Sequence, residues 1–277
     1  MSESTSSPQS AENKQSEEPK DSTRMSFGGH LDELRKRLFK ALGAIAFMFL
    51  GGWSFFADQL TWVFMQPHFR AVQGLLEADP PIEVNPRLTV LSPLEDLFFQ
   101  LKASLMVSLL IGFPYLVWQI WCFVSVGLHD HERKPIRKFL PWALILAFGG
   151  IGFCYFIFFP TILEFLYGRL NADYFQEGYR LKDYFGLYLM FTFALALIFQ
   201  LPMILAALGA AGVVTAKTLR KYRRHFILCA FVIGAMLTPP EPFSQFMMAV
   251  PTIVLFEFGV LLVAFQDRRR KKQGVAS

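Results

Sequence analysis

Apolar residues gather along this chain in six long runs, separated by charged or proline-rich stretches. The runs cover 38–57, 97–128, 139–167, 184–214, 226–237 and 243–265. A helix needs roughly 20 apolar residues to cross the hydrocarbon core of a bilayer, and five of the runs meet that length. The fifth does not: from Phe226 to Pro239 a helix reaches only about 21 Å against a core of about 30 Å. Three prolines in Thr238-Pro239-Pro240-Glu241-Pro242 cannot continue a helix, so this segment reads as a tight turn between two short C-terminal spans. The pattern predicts an all-α, polytopic membrane protein of six transmembrane helices. Pro114, Pro141, Pro160, Pro202 and Pro251 lie within or at the ends of runs and predict a kinked bundle. Two longer connections, 58–96 and 168–183, leave the same side, and Pro67, Pro80, Pro81, Pro86 and Pro93 break the first into short extended or helical pieces. No internal repeat is visible, which weakens folds built from duplicated halves.

Charge fixes the orientation. Nineteen of the 27 Lys and Arg residues flank one set of run ends and six the other, the remaining two lying in the N-terminal tail. The positive-inside rule then predicts that both termini are cytoplasmic. Residues 1–24 are polar and without an apolar run, and read as a disordered cytoplasmic tail that is neither a secretory signal nor a transit peptide. The membrane domain is read as 25–266, and 267–277 as a basic cytoplasmic tail. Composition agrees with a bilayer as the solvent: 53% hydrophobic residues, 31 phenylalanines, 18% charged residues and a mean hydropathy of +0.37. The net charge of +5 sits in clusters between apolar runs and is not interleaved with aromatics, a pattern that argues against a nucleic-acid partner.

Candidate chemistry is sparse. Cys122, Cys154 and Cys229 lie inside apolar runs as small hydrophobes, with no CxxC pair. His129-Asp130-His131-Glu132 lacks the spacing that sets two imidazoles on one helical face, so neither a metal nor any other cofactor is expected. GxSxG, HExxH, SxxK and glycine-rich phosphate loops are all missing, so the chain does not read as an enzyme. Glu33 and Glu132 are carboxylates on an otherwise positive rim. They are suited either to neighbouring cations or to bidentate bonds from a partner's arginines. Within the runs, Gln200 and Glu257 stand out, with Gln245 near the proline turn. The glutamines suit interhelical hydrogen bonds, and an acid at Glu257 requires a partner or a proton.

Four segments, HLDELRKRL before the first run, HERK between the second and third, LTPPEPFSQ at the turn and LFEFGV in the sixth, resemble the TatC family. That family is the six-span receptor subunit of the twin-arginine protein translocase, and the resemblance covers residues 27–265 in order. It implies that Glu33 and Glu132 recognise the twin arginines of a signal peptide, with Arg35 and Phe123 on the same surface. It further implies that Pro67 and Tyr155 matter in the outer loop and third span, and that Gln200, Gln245 and Glu257 are intramembrane polar or partner-docking positions. Gln200 falls where many members have Glu, Glu241 replaces the commoner Asp of the turn, and Val126 stands where many have Pro. By the same resemblance the protein sits in the bacterial inner membrane as part of a larger complex, as a homo-oligomer with TatA/TatB-type single-span partners. Its energy source is then the proton gradient. The runner-up from the residues alone is a secondary transporter using Gln200 and Glu257.

Overall fold

The computed structural model describes residues 27–79, 81–82, 84–127, 130–169, 178–238 and 241–272. Among them the chain is helical: α1 (Phe27–Leu76), α2 (Pro93–Gly127), α3 (Asp130–Phe153), α4 (Phe159–Tyr167), α5 (Leu181–Ile198), α6 (Leu201–Ala210), α7 (Ala216–Lys221), α8 (Arg223–Leu237) and α9 (Pro242–Lys272). Strand-like pairing among the described residues is limited to a parallel bridge between Thr89 and Arg180. Among the described residues, five helical stretches are long and apolar enough to cross a membrane: Arg35–Leu76, Pro93–Gln119, Leu140–Tyr167, Leu181–Ala210 and Pro242–Arg269. The remaining apolar run forms α8, which at 15 residues is about 22 Å long.

Three differences from the hydropathy pattern have physical causes. First, α1 does not stop near residue 57. It bends at Phe56 (φ −128°, ψ 15°) and continues as a second arm through Asp58, Pro67 and Arg70. Just past the bend, Thr61 Oγ1 donates to the Ala57 carbonyl at 3.0 Å, a side-chain bond of the sort that bends helices. Phe64, Ala71, Val72 and Leu75 recur on one face of this arm and are buried, so the arm is amphipathic where hydropathy alone reads a loop. Second, two predicted spans are helices in two parts. A π-turn at Cys154–Phe158 joins α3 to α4 just ahead of Pro160, and α5 passes to α6 through Phe199 and Gln200 just ahead of Pro202. Helices α2, α3 and α9 run through Pro114, Pro141 and Pro251 without a break. Third, of the two short C-terminal spans expected, only α8 is short. Helix α9 has 31 residues because its charged end continues the helix and is anchored there: Asp267 Oδ2 accepts the Ala216 N–H at the start of α7 (3.0 Å).

The main core lies where the α1 arm, α2, α4 and α5 meet. Phe158, Phe159, Ile162, Phe191 and Leu195 are fully buried. Their rings meet edge-on, as in Phe158–Phe191 (5.2 Å, 74°) and Phe159–Tyr188 (5.1 Å, 70°), the geometry favoured by the ring quadrupole. A smaller cluster of Ala216, Leu219, Phe256, Val260 and Val263 closes the opposite end, where Phe226 stacks on Phe256 at 4.0 Å. Beside this smaller cluster, α6 turns into α7 through Gly212 (φ 79°), with Val213 N–H on the Leu208 carbonyl and Gly212 N–H on that of Gly209. Outward-facing side chains such as Phe47 (81% exposed), Phe55 and Met236 form an apolar exterior that water would not tolerate and lipid does.

Small residues set the helix seams. Ser104 Oγ donates to the Phe49 carbonyl at 3.0 Å, and a Cβ on Gly52 would lie 2.9 Å from that oxygen. A Cβ on Gly112 would lie 3.1 Å from Ile45. Contacts 49–104 and 45–112 run in opposite directions, so α1 and α2 are antiparallel.

Candidate functional site

The antiparallel α1–α2 seam fixes where the sequence-predicted peptide-binding residues fall. Glu33 lies twelve residues before Ile45, and Phe123 eleven residues beyond Gly112, about 18 and 17 Å along their helices. Their backbones therefore reach the same end of the bundle, where α3 begins at Asp130 and carries Glu132 in its first turn. The side chains of Glu33, Phe123, Val126 and Glu132 lie outside the described residues, as does His129. Arg35 is exposed, its guanidinium 5.7 Å from the Phe39 ring.

At the far end the structure brings Pro67 and Tyr155 together. Proline lacks the N–H that would close an i→i−4 bond, so Pro67 leaves the Val63 carbonyl without its helical donor. Tyr155, carried on the π-turn, supplies one: its hydroxyl donates to Val63 O at 2.8 Å. One residue on, the buried Tyr184 hydroxyl donates to Phe64 O at 2.6 Å. His68, fully buried, completes the clamp, with Nδ1 3.0 Å from the Tyr167 hydroxyl and Nε2 3.0 Å from the Pro86 carbonyl. Tyr184 and His68 carry no sequence signal that singles them out, because the partner backbone comes from distant parts of the chain. The account predicts non-additivity. Tyr155→Phe removes the bond to Val63, at an exposed carbonyl, and lowers stability by about 0.5–1.5 kcal/mol. In a Pro67→Ala background, where the backbone donor returns, the same change costs less than half as much in thermal unfolding of the purified protein.

Gln200, Gln245 and Glu257, the intramembrane polar residues predicted from the sequence, each have a partner. Gln200 Nε2 donates to the Ala143 carbonyl of α3 at 3.1 Å. It edges an apolar cavity of about 320 Å³ between α2, α3 and α5. Gln245 Nε2 donates to the Phe231 carbonyl at 2.9 Å and fastens α9 to α8. Glu257 has its partner in Arg223, the first residue of α8, with Nε–Oε1 and Nη2–Oε2 both at 2.6 Å. The short helix explains this pairing. Fifteen residues of α8 and the fifteen positions from Pro242 to Glu257 both span about 22 Å, so Arg223 arrives level with the acid. Gln200 thus turns to α3 and Glu257 to α8, and the two do not combine into the solute and proton site that a secondary transporter requires. Glu241 pairs with Arg169 at 3.3 Å beside the stacked rings of Phe165 and Phe243 (4.1 Å), tying the proline turn to the end of α4.

Among the described residues, no three His, Cys, Asp or Glu side chains converge as metal ligands, and no disulfide joins Cys122, Cys154 or Cys229.

Similarity to known proteins agrees with this arrangement. The profile of the family described as Sec-independent protein translocase protein (TatC) matches residues 29–251. The Sec-independent protein translocase protein TatC of Halothiobacillus neapolitanus is 33% identical over 96% of this chain and 69% of its own length. That of Aquifex aeolicus is 34% identical over 88% of this chain and 96% of its own. A crystal structure described as the twin arginine translocase receptor TatC superposes with a TM-score of 0.66 at 31% identity, covering 84% of this chain and 97% of the other. With the family profile spanning most of the helical bundle and the fold shared, the chain belongs to the TatC family of Sec-independent protein translocase proteins.

Proposed function

We propose that this membrane protein is the receptor and core subunit of a twin-arginine translocase, binding the twin-arginine signal peptides of folded precursors. The observation that carries the reading is the register of α1 against α2, which delivers Glu33 and Phe123 to one end of the bundle, beside the start of α3 with Glu132. Acidic residue types at positions 33 and 132 suit an arginine pair: each guanidinium offers a planar fork to a carboxylate, which a lysine lacks. Six spans with both termini in the cytoplasm of a bacterial inner membrane fit the clustering of cations at this end. They also fit the placement of the α8–α9 turn beside Arg169 at the other. TatA/TatB-type single-span proteins and further copies of this chain complete the assembly. The energy source that the family resemblance implies is the proton gradient.

The test is binding of the purified full chain in detergent to a signal peptide carrying Arg-Arg and to its Lys-Lys version. A preference for Arg-Arg that disappears in Glu33→Gln and Glu132→Gln is the expected result. Equal binding of both peptides by the wild-type protein, or an undiminished preference in both variants, would overturn the assignment.

A further inference from the structure

His68 on the arm of α1 is fully buried and uses both ring nitrogens. The Pro86 carbonyl can only accept, so Nε2 carries the hydrogen and donates to it. Nδ1 is then bare and accepts from the Tyr167 hydroxyl. One neutral imidazole thereby joins three pieces of chain at the end of the bundle opposite Glu33: the arm, the end of α4 and the 84–90 segment. Tyr167 and Tyr184 meet the ring at 5.6 and 5.8 Å, both close to perpendicular, and Tyr179 packs on Tyr167 at 4.0 Å. Three residues beyond Pro86, the Thr89 N–H donates to the Tyr179 carbonyl at 2.7 Å, so the segment is seated on the same group of rings.

A second proton would undo this arrangement. It turns Nδ1 into a donor, reverses the Tyr167 bond and buries a charge without an anion to pair it. Among the described residues no ion pair includes His68, and the charged groups on the surrounding elements are engaged, exposed or set apart. On α1, Arg70 lies over the rings of Tyr155 and Phe156, and Glu77 and Asp79 are exposed. On α4 the Glu164 carboxylate lies against Gly74, about 9 Å further along the arm, and Arg169 just beyond it pairs with Glu241. Ahead of α5, Arg180 pairs with Glu95, while Lys182, Asp183 and, beside Pro86, Arg87 are exposed. Tyr167, Tyr179 and Tyr184 keep their protons throughout the range in which an imidazole titrates. Glu83 lies outside the described residues.

We propose that His68 is an acid-sensitive latch: while its ring is neutral it holds the 84–90 segment to the arm and to α4, and uptake of a proton frees that segment. The arm itself stays docked, because the Tyr155–Val63 and Tyr184–Phe64 bonds do not titrate in the same range. The sign follows from where the proton is better bound. In the open form the imidazole meets water and takes up a proton near its ordinary value of about 6.5, whereas the closed form has no place for the charge, so acid favours opening. With protonation confined to the open form, the ratio of open to closed latch rises about thirtyfold from pH 7.5 to pH 5.0. The latch lies at the opposite end of the bundle from the proposed peptide surface, so either assignment can fail alone.

The experiment is hydrogen exchange of the purified full chain in detergent between pH 7.5 and pH 5.0, read by mass spectrometry and corrected for the pH dependence of the exchange chemistry. The Thr89 amide reports the segment, and the Thr238 amide, bonded to the Gly234 carbonyl at 2.9 Å, serves as a control outside it. In the wild type, opening at Thr89 is expected to rise by about ten- to thirtyfold over that range, with no more than a tenfold change per pH unit, while Thr238 stays constant. His68→Gln keeps a donor for the Pro86 carbonyl and cannot titrate, so its rise should stay below about threefold. Tyr167→Phe removes the Nδ1 partner and keeps the ring, so it should open more at pH 7.5 and retain the pH slope. Glu83→Gln should behave as the wild type. A flat wild-type profile, a full rise in His68→Gln, or an equal rise at Thr238 would overturn the proposal. If His68→Gln does not fold, loss of the slope in Tyr167→Phe or in Glu83→Gln would overturn it instead.

Discussion

Gly150→Leu is expected to yield no stably folded protein, while Gly152→Ala on the same helix unfolds at or slightly above the wild-type temperature. Both are glycines of α3 in an apolar run, and hydropathy treats them alike. Their surroundings differ. A Cβ on Gly150 would lie 2.9 Å from the Leu195 carbonyl oxygen, 2.9 Å from Phe199 Cγ and 3.0 Å from Phe199 Cβ. The first of these is backbone, so it cannot rotate away, and the second belongs to a ring packed against Phe153. Any side chain at Gly150 must push α3 off α5 and with it loosen the Gln200–Ala143 bond that crosses the same seam. Overpacking of a core costs about 1–3 kcal/mol when side chains alone adjust, and a four-carbon side chain facing backbone lies above that range. Gly152 has no atom within 4 Å of its added Cβ, so alanine there gains helix propensity of up to about 1 kcal/mol without a clash. Expression level and thermal unfolding in detergent read both outcomes. A well-folded Gly150→Leu protein would show that the α3–α5 approach is looser than described.

Arg223→Leu is expected to cost about 3 kcal/mol of stability, Glu257→Leu about 1 kcal/mol, and the double variant less than Arg223→Leu alone. The asymmetry follows from reach. If Glu257 is removed, Arg223 sits at a helix start on a long stem and can extend its head to water. If Arg223 is removed, the shorter Glu257 is held mid-helix on α9, with Phe226 stacked on neighbouring Phe256, and must stay charged in lipid or take up a proton. Replacing both partners deletes the problem together with the bond. Unfolding of the two single variants and the double completes the cycle. Equal losses from the two single changes would mean that the acid reaches water and the pair is an ordinary surface contact.

The features legible in the sequence were those carried by long averages. Apolar runs mark where the helices form, five of them long enough to span among the described residues, and four separate motifs point to the family. What escaped depended on single contacts between distant residues. Hydropathy reads the outer arm of α1 as part of a proline-broken connection of short pieces because Asp58, Pro67, His68 and Arg70 lower its average, although one continuous helix requires only one apolar face, here Phe64, Ala71, Val72 and Leu75. The need of Glu257 for a partner was evident from the cost of a carboxylate in lipid. That the partner is Arg223 depends on equal rises along two antiparallel helices, which composition does not encode. Likewise, Pro67 and Tyr155 were singled out by resemblance as two separate positions. Only the fold joins them through one carbonyl.

The Tyr155–Val63 bond also has a bearing on time. The hydroxyl that satisfies Val63 is synthesised 92 residues later, and the one that satisfies Phe64 is 120 residues later. At about 5–20 residues per second, the 92 residues from Val63 to Tyr155 take on the order of 5–20 s of chain growth. During that interval the outer arm of the first helix waits at the membrane with its proline-freed carbonyl open to water or headgroups. Its docking is therefore a late event of biogenesis, gated by insertion of the segments that bear the two tyrosines. A ribosome-stalled chain ending before Tyr155 should leave the arm open to protease, and one extending well past Tyr184 should protect it.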